Sequence, residues 1–454
     1  MSILVPRLDQ LIGMCCYVTS TPPIPGVIRA ALDDFIVREV NSAGLVVNEH
    51  FIESHPKDVP GLFSLFLLEK RGFSHYKAMS WVSKKLGIHP SLLAFSGIKD
   101  SLAHTWQLIT VKGIRKEWAG LDLREEFRDG RLLRLTYVST YPWRLYPGSH
   151  MGNFFEVVIR KVSPTSAYDL ISKVIQELRD RGGVPGFYGY QRFGSIRPNN
   201  HIIGKLILLG DYKAAVEEFL ARAYPYESDR AKEARTYLRE TWDVKGALKL
   251  FPRHLVHERR ILKYLVKHPK AYDRCFKVLP PWLRGMFMQA YQSYLFNKLL
   301  SMKLLQGFAL KEVLGGEAIK LGSNETVIPV NQHNRSWAQG LVDCGRGVIC
   351  HRLIGYDYEH HDTPVGEMEH ELLEEESLNP SCFLIKDKLF PRLRCGWREI
   401  AYNPPRIKIL GPYEDELFEG HLKFKLCFFL KRGFYATSLL REILKPHDPI
   451  RSGF

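Results

Sequence analysis

The chain contains no run of 18 apolar residues, so no membrane-spanning helix is expected. Its opening stretch, Met1 to Gly13, lacks a basic segment followed by an apolar one, so no secretory leader is expected either. Cysteine is sparse. The eight residues Cys15, Cys16, Cys275, Cys344, Cys350, Cys382, Cys395 and Cys427 form no CxxC pair. That excludes a zinc ribbon or a disulfide framework and predicts reduced thiols in the cytoplasm. His351, His360, His361 and His370 lie near Cys344 and Cys350, but their spacings match no zinc pattern, so no metal is expected. A Walker A lysine loop, an HExxH pair and a GxSxG elbow are also missing. Gly315-Gly316 and Gly345-Arg346-Gly347 lack the strand–GxGxxG–helix context of a nucleotide fingerprint. No internal repeat is evident.

Acidic residues are in deficit. Lys and Arg number 64 against 49 Asp and Glu, a formal charge of +15 over 454 residues. Such a balance suggests a polyanionic partner, most simply nucleic acid, with an anionic membrane surface or a merely basic enzyme as alternatives. The excess is uneven. Residues 357–376 hold nine acidic groups and no Lys or Arg, and the rest of the chain carries +24. This run is expected to be a solvated loop or exposed helix away from any phosphate backbone. Hydrophobic residues at 45% and aromatics at 12% give ample material for packed structure, and the length predicts two or more domains.

Asp34–Val40 alternates apolar and charged residues, with Phe35, Val37 and Glu39 on one face, as a strand does. Leu62–Lys70 is a second strand. Ser74 fits the N-cap of a helix carrying Tyr76, Met79, Val82 and Leu86 on one side, and Gly87 ends it. Further strands are expected from Thr105 and over Phe154–Arg160, then a helix bearing Leu170, Ile171, Val174, Ile175 and Leu178. After an aromatic and glycine-rich stretch near Gly182–Pro198, helices are predicted over 214–222, 229–240, 257–267 and 286–305. Short strands or a loop follow at 315–328. A strand returns at Lys423–Lys431, and Ala436–Lys445 forms a helix that Pro446 ends. Strands and helices mix without strict alternation, which favours α+β with a mixed, largely antiparallel sheet.

Three segments could carry chemistry. Phe95-Ser96-Gly97-Ile98-Lys99-Asp100 sets a lysine and an aspartate on a turn before a polar run, Ser101–Gln107, that enters a strand. A carboxylate there can be shielded by protein yet still face a substrate; taken alone, the segment reads more readily as a surface turn. Gly152-Asn153-Phe154-Phe155 offers an amide for a base edge and a ring to wall a base pocket. Gly186–Gly194 combines Phe187, Tyr188 and Tyr190 with Gln191 and Arg192, which suits stacking and phosphate contact; a packed aromatic corner is the plainer alternative.

Taken in order along the chain, these segments resemble the TruD family of tRNA pseudouridine synthases, in its archaeal-like form. Asp34–Glu39 and Leu68–Arg71 match its N-terminal blocks. Gly97, Lys99, Asp100, Ala103, Thr105 and Gln107 spell its GxKDxxAxTxQ signature. Gly152–Phe155 is its GNxF block and Tyr188–Gly194 its (F/Y)GxQRFG block, while Leu295–Asn297 and Ala436–Glu442 also fit. Cys350–Arg394 matches nothing in that pattern.

The resemblance implies a discontinuous catalytic domain, 1–185 with 401–454, and an inserted α+β TRUD domain, 186–400. It implies isomerisation of uridine to pseudouridine at position 13 of tRNA, with no cofactor, no membrane and no obligate protein partner. It makes Asp100 the catalytic aspartate and Phe155 the ring that stacks on the target base. Asn153 would hold the base or the Asp100 loop, and Phe35 and Arg29 would line the site. At Arg29 the family pattern has lysine. Lys99 would form an ion pair or touch phosphate, and Gln191 and Arg192 would meet the substrate. The alternative is a catalytically silent tRNA-binding protein of the same fold. An acid-dependent glycosidase would want a second carboxylate near Asp100, and none is apparent in the sequence.

Overall fold

A computed structural model describes residues 3–56, 59–163, 167–322, 326–385 and 387–454. Seven strands come from the first part of the chain: β1 (Phe35–Val40), β2 (Phe63–Arg71), β3 (Leu93–Phe95), β4 (His104–Lys112), β5 (Asp122–Glu126), β6 (Leu132–Tyr141) and β7 (Gly152–Val162). The middle supplies β8 (Val184–Pro185), β9 (Ala318–Leu321), β10 (Thr326–Pro329), β11 (Gly347–Leu353), β12 (Gly396–Glu399) and β13 (Ala401–Tyr402). Then come β14 (Lys408–Glu414) and β15 (Leu422–Lys431).

The main sheet has nine strands in the order β14-β15-β7-β1-β4-β2-β6-β5, with β3 paired to β4. β1 and β4 run parallel and its other ladders are antiparallel. Early and late parts of the chain therefore share one sheet. The expected α+β architecture with a mixed, largely antiparallel sheet is what the chain forms. The helices Ala167–Asp180 and Ala436–Leu444 cover one face, burying Ile171, Val174, Leu178, Leu439, Leu440 and Ile443 against Val157, Ile159, Leu426 and Phe428. The helix His75–Leu86 packs elsewhere on the sheet; Ser74 accepts a hydrogen bond from Lys77 N at its start, as an N-cap does.

The middle of the chain is mostly helical and gathers round the long helix Pro281–Leu305, whose residues Phe287, Tyr291, Leu295 and Leu299 are buried. A four-stranded sheet, β10-β9-β11-β12, lies beside it. The outgoing chain at β8 and the returning chain at β13 pair as a two-residue antiparallel ladder, Pro185 with Ala401 and Val184 with Tyr402. Packing is continuous past that ladder: Phe296, Leu300, Ile319 and Ile349 join the core beneath the main sheet.

The acidic run departs from expectation. Pro364–Glu375 is a helix, but not a freely solvated one: Val365, Met368, Leu372 and Leu373 are buried against the core around the long helix. Glu376 accepts hydrogen bonds from Lys205 Nζ at 2.6 Å and from the hydroxyls of Tyr291 and Tyr294 at 3.0 and 2.9 Å. Burial raises the Glu369 carboxyl to about 7, against the pull of Arg352. The buried face includes Gly366 and Glu369 besides these four apolar residues, so in the sequence the surrounding charge masks the stripe.

Candidate active site

Register decides which side chains meet. Val37 on β1 stands beside Thr105 on β4 and opposite Phe155 on β7, which pairs with Phe428 on β15. One step along, Glu39 stands opposite Asn153, which pairs with Leu430. Since alternate residues share a face, Phe35, Val37, Glu39, Asn153 and Phe155 lie on one side, at the end where the helix Ala436–Leu444 begins. The segment Ser96–Ala103 between β3 and β4 folds over this side and carries Lys99 and Asp100.

The two neighbours behave differently. Lys99 turns inward, with Nζ 2.8 Å from Glu39 Oε2 and both side chains all but sealed from solvent. It is a buried ion pair, strongly destabilising to break from one side. His75 and His150 lie in the same field. Burial pushes each ring down to about 4, and the Lys99 cation adds to that effect, so both are neutral at pH 7. A Cβ on Gly97 would sit 3.3 Å from His150 Cε1 and 3.7 Å from Lys99 Nζ, so the turn at Gly97 has little room for a side chain.

Asp100 faces the opening. Arg29 Nη2 donates to its Oδ2 at 3.4 Å, and Gln191 Nε2 donates to its Oδ1. Lys70 Nζ donates to its backbone carbonyl. Arg29 is itself fixed: Nη1 donates to Gly453 O at 2.7 Å, and its guanidinium lies 3.9 Å from the centroid of the Phe35 ring. Burial lowers the Arg29 pKa, and the Asp100 carboxylate opposes the shift. Phe35 meets Phe155 edge-on at 6.0 Å, and Phe155 stacks on Phe428 at 5.4 Å.

These groups enclose a cavity of about 130 Å³, several times the ~30 Å³ share of one water, so one flat ring can enter. Arg29, Phe35, Lys99, Asp100, Asn153, Phe155 and Gln191 all line it, along with a wall from Phe434, Tyr435, Ala436 and Thr437. Asn153 Oδ1 is buried and has no hydrogen-bond partner among the described residues. Arg192 is not in the lining: it donates to Gln289 Oε1 at 3.0 Å, on the long helix, and lies over Tyr188. Glu39 is a buried carboxylate engaged by Lys99 and is not in the cavity lining.

Three further residues were not expected at the site. Lys70 is fully buried, and burial lowers its pKa to about 8, against the pull of Asp100. Its signal was weak: it stands inside the block Leu68–Arg71 at the end of a mostly apolar strand, flanked by the charged Glu69 and Arg71. Tyr435 gave no signal and Thr437 only as a member of the closing block Ala436–Glu442, because it is the β7–β15 pairing that carries them to Phe155. Among the histidines near Cys344 and Cys350, His351 is buried with Nε2 2.9 Å from Glu317, whereas His360 is exposed and gathers with Asp362 and Glu367.

The sequence model of the family described as tRNA pseudouridine synthase D (TruD) matches residues 11–443. The chain is 34% identical over 436 residues to the probable tRNA pseudouridine synthase D of Pyrococcus abyssi, covering 94% of this chain and 98% of that one. It is 34% identical over 385 residues to the namesake from Methanopyrus kandleri, covering 85% and 86%. The crystal structure of the putative tRNA pseudouridine synthase D from Methanosarcina mazei matches with a TM-score of 0.77 at 29% identity, covering 97% of this chain and 98% of that one.

Proposed function

This chain belongs to the TruD family of tRNA pseudouridine synthases, and from that premise we propose that it isomerises uridine to pseudouridine in tRNA, at position 13, with Asp100 as its catalytic carboxylate. The observation that carries the reading is the seat of that carboxylate, in a ring-sized cavity between Arg29, Gln191, Phe35 and Phe155. The isomerisation breaks the N1–C1′ bond and makes a C5–C1′ bond; N1 gains a hydrogen and C5 loses one. Atoms balance without a co-reactant. The detached uracil must turn without leaving, which needs a closed pocket with aromatic walls.

The residues divide the work. Phe155, backed by Phe428, stacks on the base. Asn153 Oδ1 is a buried acceptor that the N3–H of uracil can satisfy. Arg29 and Gln191 orient Asp100, and Lys99, held by Glu39, positions the loop instead of touching phosphate. Arg192 meets the substrate outside the cavity. The catalytic domain comprises 1–185 with 401–454, around an insertion of 186–400; the β8–β13 ladder supports that division, since both crossings meet there. A cytoplasmic location accords with eight unpaired thiols and a tRNA substrate. Among the described residues no helix is long and apolar enough to cross a membrane.

The test is Asp100→Asn, assayed by mapping pseudouridine in an unmodified tRNA transcript. The wild type is expected to yield pseudouridine at position 13, and the variant to lose on the order of a thousandfold or more in rate. Wild-type-like turnover by the variant would remove Asp100 from its role. A product at another position would refute the assigned target.

A further inference from the structure

The reaction leaves one segment beside the cavity unused. Between β6 and β7 the chain runs Pro142-Trp143-Arg144-Leu145-Tyr146-Pro147-Gly148-Ser149-His150-Met151. Trp143 is 71% exposed and Tyr146 64% exposed, with Arg144 exposed between them.

The segment is fastened to the Asp100 loop. Gly148 N donates to Ser96 O at 2.7 Å, and the hydroxyls of Ser149 and Ser96 lie 2.9 Å apart. Arg432, just past β15, donates to Gly148 O. Leu145 N donates to Thr110 Oγ1 at 3.1 Å, and Met151 N to Val40 O at 3.0 Å. Pro142 and Pro147 fix φ beside the two aromatics. The backbone is therefore braced at Leu145, Gly148, Ser149 and Met151, and the Trp143 and Tyr146 rings stand out from it into solvent.

We propose that Pro142–Met151 is a base-stacking platform, on which Trp143 and Tyr146 hold unpaired tRNA bases that flank the target uridine. The inference deepens the proposed reaction and rests on it. Flipping one nucleotide out unstacks its neighbours, and aromatic rings restore the lost stacking on any base, since every base has a π-face. Rings already braced lose little entropy on binding. The composition favours RNA over a second copy of the chain. The protein carries a formal charge of +15, so two copies repel each other while a polyanion is drawn to the exposed Arg144 between the two rings.

The test uses the Asp100→Asn protein, so that binding is read without turnover, and an unmodified tRNA transcript. Trp143→Ala and Tyr146→Ala in that background are each expected to weaken binding by about tenfold. The slope of log Kd against log salt stays unchanged, because no phosphate contact is lost. Trp143→Phe keeps a ring and stays close to the parent. Thermal midpoints match the parent's, since both side chains are exposed. Parental affinity in both alanine variants would overturn the platform. So would a weakening accompanied by a shallower salt slope, which would assign the loss to charge. Parental tRNA affinity with a dimer-to-monomer shift in sedimentation would overturn it in favour of an interface between copies. If the wild type makes no pseudouridine, the earlier reading fails by itself, whatever these affinities are.

Discussion

Lys70 shows at the scale of one residue what the site costs the fold. Its ammonium is fully buried beneath the Asp100 loop, and burial brings its pKa from 10.5 down to about 8. Between those values the unfolded chain holds a proton that the folded chain does not. Unfolding there takes up a proton, so raising the pH favours the fold. The cost of the buried charge is fully present below pH 8 and fades between about 8 and 10.5. From pH 7 to 9.5 the wild type should gain about 2 kcal/mol relative to Lys70→Met, read by urea unfolding. Parallel pH profiles for the two proteins would show that Lys70 carries no such penalty. A lysine held in so costly a place, with Nζ on the carbonyl of Asp100, reads as a support for the Asp100 loop.

Strands explain which parts of the sequence were readable. β1, with its clean alternation, was legible together with the face it presents, and so was the helix that Ser74 caps. The Asp100 turn and the Asn153 and Phe155 pair, which line one cavity, were legible as candidates because their blocks are local. β6 was not. A bulge near Val138 shifts its pairing with β2, so Leu133 and Leu135 alternate while Val138 falls out of phase. In the wall from Phe434 to Thr437, Phe434 and Tyr435 gave no signal and Ala436 and Thr437 only opened the closing block, because long-range pairing alone brings this wall to the cavity. At this scale Gly152 gives a sharp test. A Cβ there would lie 2.1 Å from Leu430 O and 2.7 Å from Phe429 Cζ, in the ladder between β7 and β15. Gly152→Ala should cost about 1–3 kcal/mol in urea unfolding and reduce pseudouridine formation, because Asn153 and Phe155 move with the strand. Parental stability and rate together would mean that the ladder yields without harm.

Across the whole molecule, charge sets how the substrate is gripped. The formal charge is +15, and the acidic helix Pro364–Glu375 is committed to packing on the middle of the chain. Binding of tRNA should therefore be strongly salt-dependent, with affinity falling on the order of a thousandfold between 50 and 200 mM salt if six or so phosphates are engaged. Filter binding of the Asp100→Asn protein checks this, and a flat salt profile would contradict a phosphate-led grip. The joining of early and late strands also bears on manufacture. A ribosome releases β15 after every other strand of the main sheet. Until then β7 has an open edge, Phe155 lacks the Phe428 ring behind it, and the cavity is missing the wall from Phe434 to Thr437. A nascent chain thus emerges among translating tRNAs without a closed pocket, and the enzyme becomes competent only when synthesis has passed the segment that shuts it.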